Sequence, residues 1–339
     1  MTSPPSGLVN SAPTQSRART RLYRDGRLEL DGFPVADISE YLADESVTIW
    51  LDLCNPDLGD LDVLSEEFGL HPVAVQAALQ HGQRPRLDHY RGYLFLTAYD
   101  ARLDSGTGEL ATSEIAAFIT RQALITVRKD DRLDIGAVVA RWDENPDLAK
   151  SGIGYLVYEL LDYIVDGQFE AVQSLDDSME ELEDQLFDDV PRGLQVQRRS
   201  FQLRKSLGLL RRIVTPMSQM VVELMRDDLR IAGDELMPYY QSVYDQALRT
   251  AERTDSLRDL VSSILETNLT IQGNRLNVIT KKVTGWAAII AVPTLVTGFF
   301  GMNVPYPGFG DKAGLAVAVA IIALAGVVLY AVFKHKDWL

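Results

Sequence analysis

The sequence predicts an α+β membrane protein. A soluble N-terminal α/β domain and a helical hairpin precede a long stalk helix, which continues into the first of two C-terminal transmembrane helices. Strand and helix signals alternate up to about residue 150, helical periodicity follows as far as residue 301, and two uncharged runs lie at 283–300 and 313–333. At about 1.5 Å per helical residue, each run is just long enough to cross a hydrocarbon core of roughly 30 Å.

The composition is that of a globular domain with two added spans. The chain is 46% hydrophobic and carries a net charge of −15, so nothing in it indicates nucleic-acid binding. A single cysteine, Cys54, excludes an intrachain disulfide framework and fits a reducing cytosol. Residues 1–20 are rich in Ser, Pro, Thr and Arg and lack the apolar region of a signal peptide, so we expect a disordered tail there.

Residues 21–150 are predicted to form the α/β domain. Turn residues 120–122 predict a hairpin between the last two strands, and Pro72 suits a first helical position. β-Branched and aromatic runs predict strands at 47–53, 93–99, 115–119 and 123–127, with short helices at 60–70 and 72–80.

Residues 151–232 predict an antiparallel helical hairpin. An acidic helix over 154–188 is followed, after Pro191 and Gly193, by a basic helix over 194–228. Complementary exposed charges would add only a few tenths of a kcal/mol per pair. Alternatively, the acidic end of the first helix could concentrate or sense cations. Runs of charged residues are, however, more often solvent-exposed faces.

Residues 233–282 predict a stalk helix that runs on into the first span. No proline interrupts the pattern between Pro238 and Pro293. A helix of about 60 residues would span roughly 90 Å, too long to pack along one small domain. It therefore predicts a parallel homo-oligomer of more than two copies.

Small or polar residues recur along one face of this helix at the 3.5-residue spacing that faces the axis of a left-handed bundle. Close helix packing through small residues is the alternative interpretation. Polar residues on the same line favour a wet axis, and the acidic Asp259 and Glu266 extend it upstream as candidate metal-binding positions. The predicted pore-lining positions are Asn277, Thr280, Thr284, Ala287, Ala291, Thr294 and Gly298, followed by Gly301.

The charges that flank the spans predict their orientation. Lys281 and Lys282 precede the first span (283–303), and Lys334 and Lys336 lie in the short tail (334–339) after the second (313–333). The connecting loop, 304–312, offers only Lys312. Because positive charge stays on the cytoplasmic side, both termini are predicted to be cytoplasmic, in the plasma (inner) membrane.

Gly301-Met302-Asn303, directly before a short loop and a second span, resembles the signature of the CorA family of divalent-cation channels. The terminal Lys336-Asp337-Trp338-Leu339 and the segment Gln83-Arg84-Pro85-Arg86 are similar to further motifs of that family. The resemblance implies a pentameric channel for passive Mg²⁺ influx, with possible Co²⁺ or Ni²⁺ transport. It also implies a selectivity filter at Gly301, Met302 and Asn303 and a hydrophobic constriction at Thr280, Val283 and Ala291.

The chemistry of such a filter suits magnesium. Mg²⁺ gives up its water shell reluctantly, and a ring of neutral amide and carbonyl oxygens accepts hydrogen bonds from the bound waters. Asn303 is the candidate metal-contacting side chain. A helix C-cap is the simpler role for an asparagine beside glycine, and the two roles are compatible.

There are three alternatives to a magnesium channel, of which the last two remain open. An enzyme is not expected: the four histidines show no metal-ligand spacing, no phosphate loop or nucleophile elbow appears, and no cofactor is implied. A two-span membrane-anchored receptor or scaffold would not need the polar seam. The third alternative is a transporter of Zn²⁺, Co²⁺ or Ni²⁺ of the ZntB-like branch, possibly proton-coupled. It gains weight because the carboxylates that bind regulatory Mg²⁺ in the family align with Ser242 and Ala77.

Overall fold

A computed structural model describes residues 17–104, 108–186, 193–226, 229, 231–302, 311–336 and 338. These residues fall into two compact units. The first consists of the described residues up to 186 together with 198–262. The second consists of 193–197 and the described residues from 263 onward.

The first unit is built on a mixed seven-stranded sheet. The strands are β1 (Arg17–Arg24), β2 (Arg27–Asp31), β3 (Val47–Cys54), β4 (Arg86–Tyr90), β5 (Tyr93–Leu103), β6 (Leu110–Ile119) and β7 (Ala123–Arg128). Their order across the sheet is β2-β1-β3-β7-β6-β5-β4. β3 and β7 run parallel, and the other neighbours are antiparallel. A parallel pair requires a crossover connection. Here the connection from β3 to β7 contains β4, β5 and β6, which lie beyond β7 in the sheet.

Helices cover both faces of this sheet. The helices of the described chain, in both units, are α1 (Ile38–Tyr41), α2 (Leu58–Phe68), α3 (Pro72–Leu79), α4 (Ile135–Glu144), α5 (Pro146–Ala149), α6 (Ile153–Leu186), α7 (Gly193–Leu224), α8 (Met237–Phe300) and α9 (Lys312–His335), and a 3₁₀ turn, Val35–Asp37, precedes α1. Local sequence sets several of their ends. Asp57 and Asp60 form a capping box at α2, and Gly69 ends that helix in the left-handed conformation.

Two hydrophobic cores lie on opposite faces of the sheet. Alternate residues of the central strands enter each core, because successive side chains of a strand point to opposite faces. On β3, Ile49 and Leu51 pack with α1, α2 and α3, whereas Trp50 packs with α4, α6, α7 and the start of α8. All six residues of β7 are buried, as expected for a strand covered on both faces.

Ion pairs link the long helices of the first unit. Arg199 on α7 pairs with Glu181 on α6 at 3.0 Å, in agreement with the predicted complementary hairpin. An arginine of α7 also pairs with α8: Arg211 Nε lies 2.6 Å from Asp255 Oδ1. Arg253 on α8 pairs in turn with Asp176 on α6.

The second unit contains the apolar end of α8, all of α9 and the first residues of α7. Asn268 on α8 is 4% exposed, and its Nδ2 donates to the Gly193 carbonyl at 3.3 Å. α8 and α9 each contain a stretch long and apolar enough to cross a membrane, with mean hydropathy 1.7 and 2.8 respectively. Over these stretches almost none of the residues is fully buried, unlike those of the core helices of the first unit.

Several sequence expectations need correction. The tail expected over residues 1–20 extends too far, because β1 begins at Arg17. β1, β2 and β4 were not predicted, and β5 and β6 are longer than expected. The four predicted strands, the two short helices and the hairpin at 120–122 are confirmed. α8 begins at Met237 rather than 233 and ends at Phe300 rather than 303.

Candidate ion pathway

The predicted seam lies along one exposed face of α8 in the second unit. Each of its residues in the apolar part of the helix is exposed, including the small residues Ala287 and Ala291 and the polar residue Thr284. The remaining seam positions share this exposure: Asn277, Thr280, Thr294, Gly298 and Gly301. Small and polar residues therefore form a continuous strip that no described residue of the second unit covers.

The opposite face of α8 is the less exposed one. Ala288, Val292 and Val296 are half-buried there, and so are Ile289, Pro293 and Phe300. At about 100° per helical residue, this face is centred roughly opposite the seam. α9 presents a matching stripe in which Gly314 and Ala318 are buried. Ile321 of α9 lines one cavity together with Val296 and Phe300 of this face, so α9 lies on the side of α8 away from the seam.

Exposed apolar side chains flank the seam on both sides. Trp286 and Ile290 lie on one flank, 53% and 64% exposed, and Leu295 and Phe299 lie on the other, 75% and 55% exposed. Leu295 and Phe299 also line an apolar cavity of about 640 Å³ together with Ile321 of α9. The helix thus carries three kinds of surface: a small and polar seam, two apolar flanks, and a back that packs on α9.

The threonines near the end of the span hydrogen-bond to their own helix. Thr294 Oγ1 donates to the Ile290 carbonyl at 2.8 Å, and Thr297 Oγ1 donates to the Thr294 carbonyl at 3.0 Å. A hydroxyl that has donated its proton in this way presents lone pairs outward. On the seam face, Thr294 is therefore oriented as an acceptor, the role needed to bind the hydrogens of a hydrated cation.

The Gly-Met-Asn segment begins at the turn that ends α8. The Gly301 N–H donates to the Thr297 carbonyl at 2.8 Å, and the Met302 N–H donates to Phe299 at 3.3 Å. A Cβ at residue 301 would lie 3.0 Å from the Thr297 carbonyl oxygen, so glycine fits this tight turn best. Asn303, the candidate filter side chain, and the loop 304–310 lie outside the described residues.

The two acidic seam residues are both exposed. Asp259 belongs to the first unit and Glu266 to the second. Within the described part of the chain, no three His, Cys, Asp or Glu side chains come together in an arrangement that could hold a metal ion.

The two positions aligned with the family's regulatory carboxylates lie in different settings. Ala77, on α3, is 8% exposed and belongs to a hydrophobic core, whereas Ser242 is exposed on α8. A carboxylate in place of Ala77 would enter an apolar core at a substantial desolvation cost. Neither residue supplies a carboxylate for a cation.

Comparison with known proteins identifies the family of the chain. The family model for the CorA-like Mg²⁺ transporter protein matches residues 45–335. The chain belongs to this family. The resemblance indicated by the Gly301-Met302 turn and the two C-terminal spans is thereby confirmed.

Relatives of this CorA-like transporter match it over nearly the whole length. The cobalt/magnesium transport protein CorA of Thermotoga maritima is 27% identical, over 99% of this chain and 97% of its own. The putative metal ion transporter YfjQ of Bacillus subtilis is 29% identical, over 85% of this chain and 89% of its own. The chain therefore matches complete transporters rather than one domain of them.

The solved structures agree on the fold. The complete CorA magnesium transporter from Methanocaldococcus jannaschii superposes with a TM-score of 0.77 at 22% identity, covering 95% of this chain and 98% of that one. The full-length CmaX protein gives a TM-score of 0.71 at 19% identity, covering 96% of this chain and all of that one. The predicted fold class is confirmed: an α/β domain, a long helix and two apolar C-terminal helices.

Sequence reasoning missed the back of α8 and its partner stripe on α9. The signal was present in the four-residue spacing of Gly314 and Ala318. It was obscured because α9 is apolar on every side, so its periodicity does not single out one face.

Proposed function

We propose that this CorA-like transporter is a channel for passive influx of magnesium through the central pore of a homo-oligomer. One observation supports this most: the exposed seam of α8 lies opposite the face that packs on α9. A two-span anchor would present apolar residues to lipid on every side that α9 leaves free. This helix instead presents threonines, alanines and glycine, which suit a surface that meets water.

The apolar flanks support assembly around that seam. Trp286 and Ile290 on one side and Leu295 and Phe299 on the other are each more than half exposed. In a ring, one flank of each copy would pack against the other flank of its neighbour, and the seams would face the axis. The family resemblance implies five copies, and we propose a homopentamer.

We propose Gly301, Met302 and Asn303 as the filter at the outer end of this pore. A filter that leaves the first water shell of Mg²⁺ in place avoids the large free-energy cost of dehydrating the ion. Asn303 amide oxygens, one from each copy, would accept hydrogen bonds from those waters. Further in, Thr294, Ala291, Ala287, Thr284, Thr280 and Asn277 would line the path, with Val283 at its constriction.

We propose that both termini lie in the cytoplasm and that the spans cross the plasma (inner) membrane. Lys281 and Lys282 precede the first span, and Lys334 and Lys336 follow the second. Lys312 is the single lysine on the connecting side. This asymmetry favours a cytoplasmic location for the flanks.

Ion uptake in liposomes tests the proposal. Purified protein is reconstituted in vesicles that contain a magnesium-sensitive dye, and external Mg²⁺ is added. We expect saturable uptake without any energy source, and its loss in Asn303→Ala with assembly unchanged by native mass spectrometry. Uptake of normal rate and selectivity in Asn303→Ala would refute the filter, and a monomer or dimer would refute the central pore.

The same vesicles separate the competing functions. Zn²⁺, Co²⁺ and Ni²⁺ are supplied with and without an inward proton gradient. Gradient-dependent Zn²⁺ uptake that exceeds Mg²⁺ uptake would favour the ZntB-like alternative. Uptake of no cation, by a protein that is folded and inserted, would leave the anchored receptor or scaffold.

A further inference from the structure

The first unit contains a cavity with a basic lining. This cavity, of about 650 Å³, opens between the segment that leads into β4, the strand β5 and the middle of α7. Pro85 and Ile213 are its buried lining side chains, and Tyr99 is half-buried beside them. Four arginines line the rest of it: Arg84, Arg211, Arg212 and Arg258.

The charge around this cavity is not balanced. Asp255 accepts from Arg211 Nε at 2.6 Å and from Arg258 Nη1 at 3.4 Å, so one carboxylate serves two guanidinium groups. Arg84 and Arg212 form no ion pair with any residue that the structure describes. In a chain of net charge −15, four arginines whose one described ion-pair partner is Asp255 form a concentrated positive site. Their mutual repulsion would be relieved by an anion.

The segment that carries Arg84 is held in place. The Tyr99 hydroxyl donates to the Gln83 carbonyl at 2.5 Å, and the Gly82 N–H donates to Glu114 Oε2 at 2.7 Å. Burial, followed by the charge of Glu114, raises the pKa of Tyr99, so its phenol stays a neutral donor. Lys129 Nζ lies 3.6 Å from Glu114 and offsets that carboxylate, which is not part of the lining.

Guanidinium groups, a ring and a recess of this size indicate the ligand class. Arginine binds phosphate through two parallel N–H donors, which gives both affinity and orientation. Cavities of about 300–1,000 Å³ are typical of small-molecule sites. The apolar walls at Pro85, Ile213 and Tyr99 would cover an uncharged or aromatic part of the ligand.

We propose that this cavity binds a soluble phosphate compound of nucleotide size, with Arg84 and Arg212 as its main phosphate contacts. A site of this kind uses residues other than those assigned to the ion path and would make the first unit responsive to a phosphorylated metabolite. It does not depend on which cation the protein transports.

Binding of radiolabelled ATP to the full-length protein in detergent, by equilibrium dialysis with EDTA present, tests this site. We expect saturable binding that inorganic pyrophosphate displaces. Arg84→Gln with Arg212→Gln should weaken ATP binding about tenfold or more, because two charge-assisted contacts are lost. The matched control, Arg204→Gln with Lys205→Gln, makes the same charge change on exposed α7 residues outside the lining and should keep the wild-type affinity.

Four outcomes would overturn the proposal. They are absence of saturable ATP binding, failure of pyrophosphate to displace ATP, unchanged affinity in the Arg84/Arg212 variant, and equal weakening in the two double variants. A further arm tests a lipid source of phosphate: the protein in neutral nanodiscs is sedimented with vesicles rich in phosphatidylglycerol. Vesicle binding that needs Arg84 and Arg212, without ATP or pyrophosphate binding, would assign the site to a lipid headgroup instead.

Discussion

Asp52 and Arg128 form a buried ion pair between the parallel strands β3 and β7. Arg128 donates from Nε to Oδ1 at 3.0 Å and from Nη2 to Oδ2 at 2.7 Å, and the two side chains are 0% and 5% exposed. The Thr126 hydroxyl donates to the same carboxylate at 2.8 Å, and Trp50 Nε1 donates to Thr126 Oγ1 at 3.1 Å. The pair therefore belongs to a connected polar network at the centre of the sheet.

Asp52→Ala should strongly destabilise the first unit. Removing one member of a buried pair leaves the other charge uncompensated, which costs about 3–5 kcal/mol. The measurement is the denaturant midpoint of the full-length protein in detergent. Asp31→Ala is the control, because Asp31 is 61% exposed where it pairs with Arg21, and a pair of this kind contributes about 0–1 kcal/mol. Equal midpoints for the two variants would contradict the role assigned to the network.

Gly154→Ala should also destabilise the fold, for a steric reason. A Cβ at residue 154 would collide with the Ile231 carbonyl oxygen and lie 2.9 Å from Leu236 Cδ1. The same helix turn accepts a 2.8 Å hydrogen bond from the Tyr240 hydroxyl, so it has little freedom to move. We expect a loss of about 1–3 kcal/mol by thermal or denaturant unfolding.

The control for this substitution lies on α7. Nothing lies within 4 Å of a Cβ placed on Gly208, and alanine is favoured over glycine inside a helix by about 1 kcal/mol. Gly208→Ala should therefore be neutral or stabilising. Stabilisation by both alanines would show that the contact at residue 154 relaxes without cost.

The parts of the fold that the sequence predicts are those with strong local patterns. β3 and β7 are apolar and β-branched because they are buried on both faces, and α8 is visible because no proline interrupts it before Pro293. β1 carries arginines at 17, 19, 21 and 24, and β2 and β4 form the sheet edges, so charge conceals the strand pattern in all three.

The two candidate sites, the seam of α8 and the arginine-lined cavity, also differ in how far the sequence reveals them. The seam of α8 follows from spacing within one helix, and sequence is sufficient to find it. Arg84, by contrast, is notable in the sequence only as part of a segment that resembles a family motif, because nothing local links it to Arg212 and Arg258. Only the tertiary fold brings these residues to one cavity.

An acidic pair on α6 predicts a specific pH dependence of stability. Burial, followed by the charge of Asp166, raises the pKa of Asp162 from 3.8 to about 6. Arg141 on α4 opposes this shift by donating to both carboxylates at 2.8 Å. Glu159, also on α6, has a raised pKa because it is buried too.

Asp162 therefore holds its proton more tightly in the folded chain than in the unfolded one. Its contribution to stability is fully present below about pH 4 and is lost as pH rises through about 6. Asp162→Asn should flatten the stability profile between these values by up to about 3 kcal/mol, measured from denaturant midpoints at each pH. Asp177→Asn, on the exposed face of α6, is the control and should leave the profile unchanged. If the slope of stability against pH were unchanged in Asp162→Asn, Asp162 would not be the source of the pH dependence.

The proposed pore predicts opposite results for one substitution at two exposed alanines. Ala291→Leu places a bulky apolar side chain on the seam, where it would narrow and dry the path, so Mg²⁺ uptake should fall about tenfold or more. Ala323→Leu makes the same change on an exposed face of α9 and should leave uptake near that of wild type. Both are measured in the dye-loaded liposomes, and equal uptake by the two variants would show that the seam does not line the pathway.

The last prediction concerns gating by Mg²⁺. A ligand shifts an equilibrium between open and closed rings only through its differential affinity for the two states. Ser242 and Ala77 supply no carboxylate at the regulatory Mg²⁺ site that the family resemblance implies. We therefore expect Mg²⁺ at that site to have little difference in affinity for the open and closed rings. In a homo-oligomer, Asp259 and Glu266 would instead form two carboxylate rings around the axis, which bind cations because binding relieves their repulsion.

Limited proteolysis with and without millimolar Mg²⁺ measures this directly on the full-length oligomer. We expect weak protection by Mg²⁺ in the wild type and none in Glu266→Gln with Asp259→Asn, because the double change removes both rings. Glu180→Gln with Asp177→Asn removes the same charge from the exposed face of α6 and should retain the wild-type protection. If strong protection survives the loss of Glu266 and Asp259, Mg²⁺ binds elsewhere in the soluble domain, and the rings are solvated stalk positions without a part in gating.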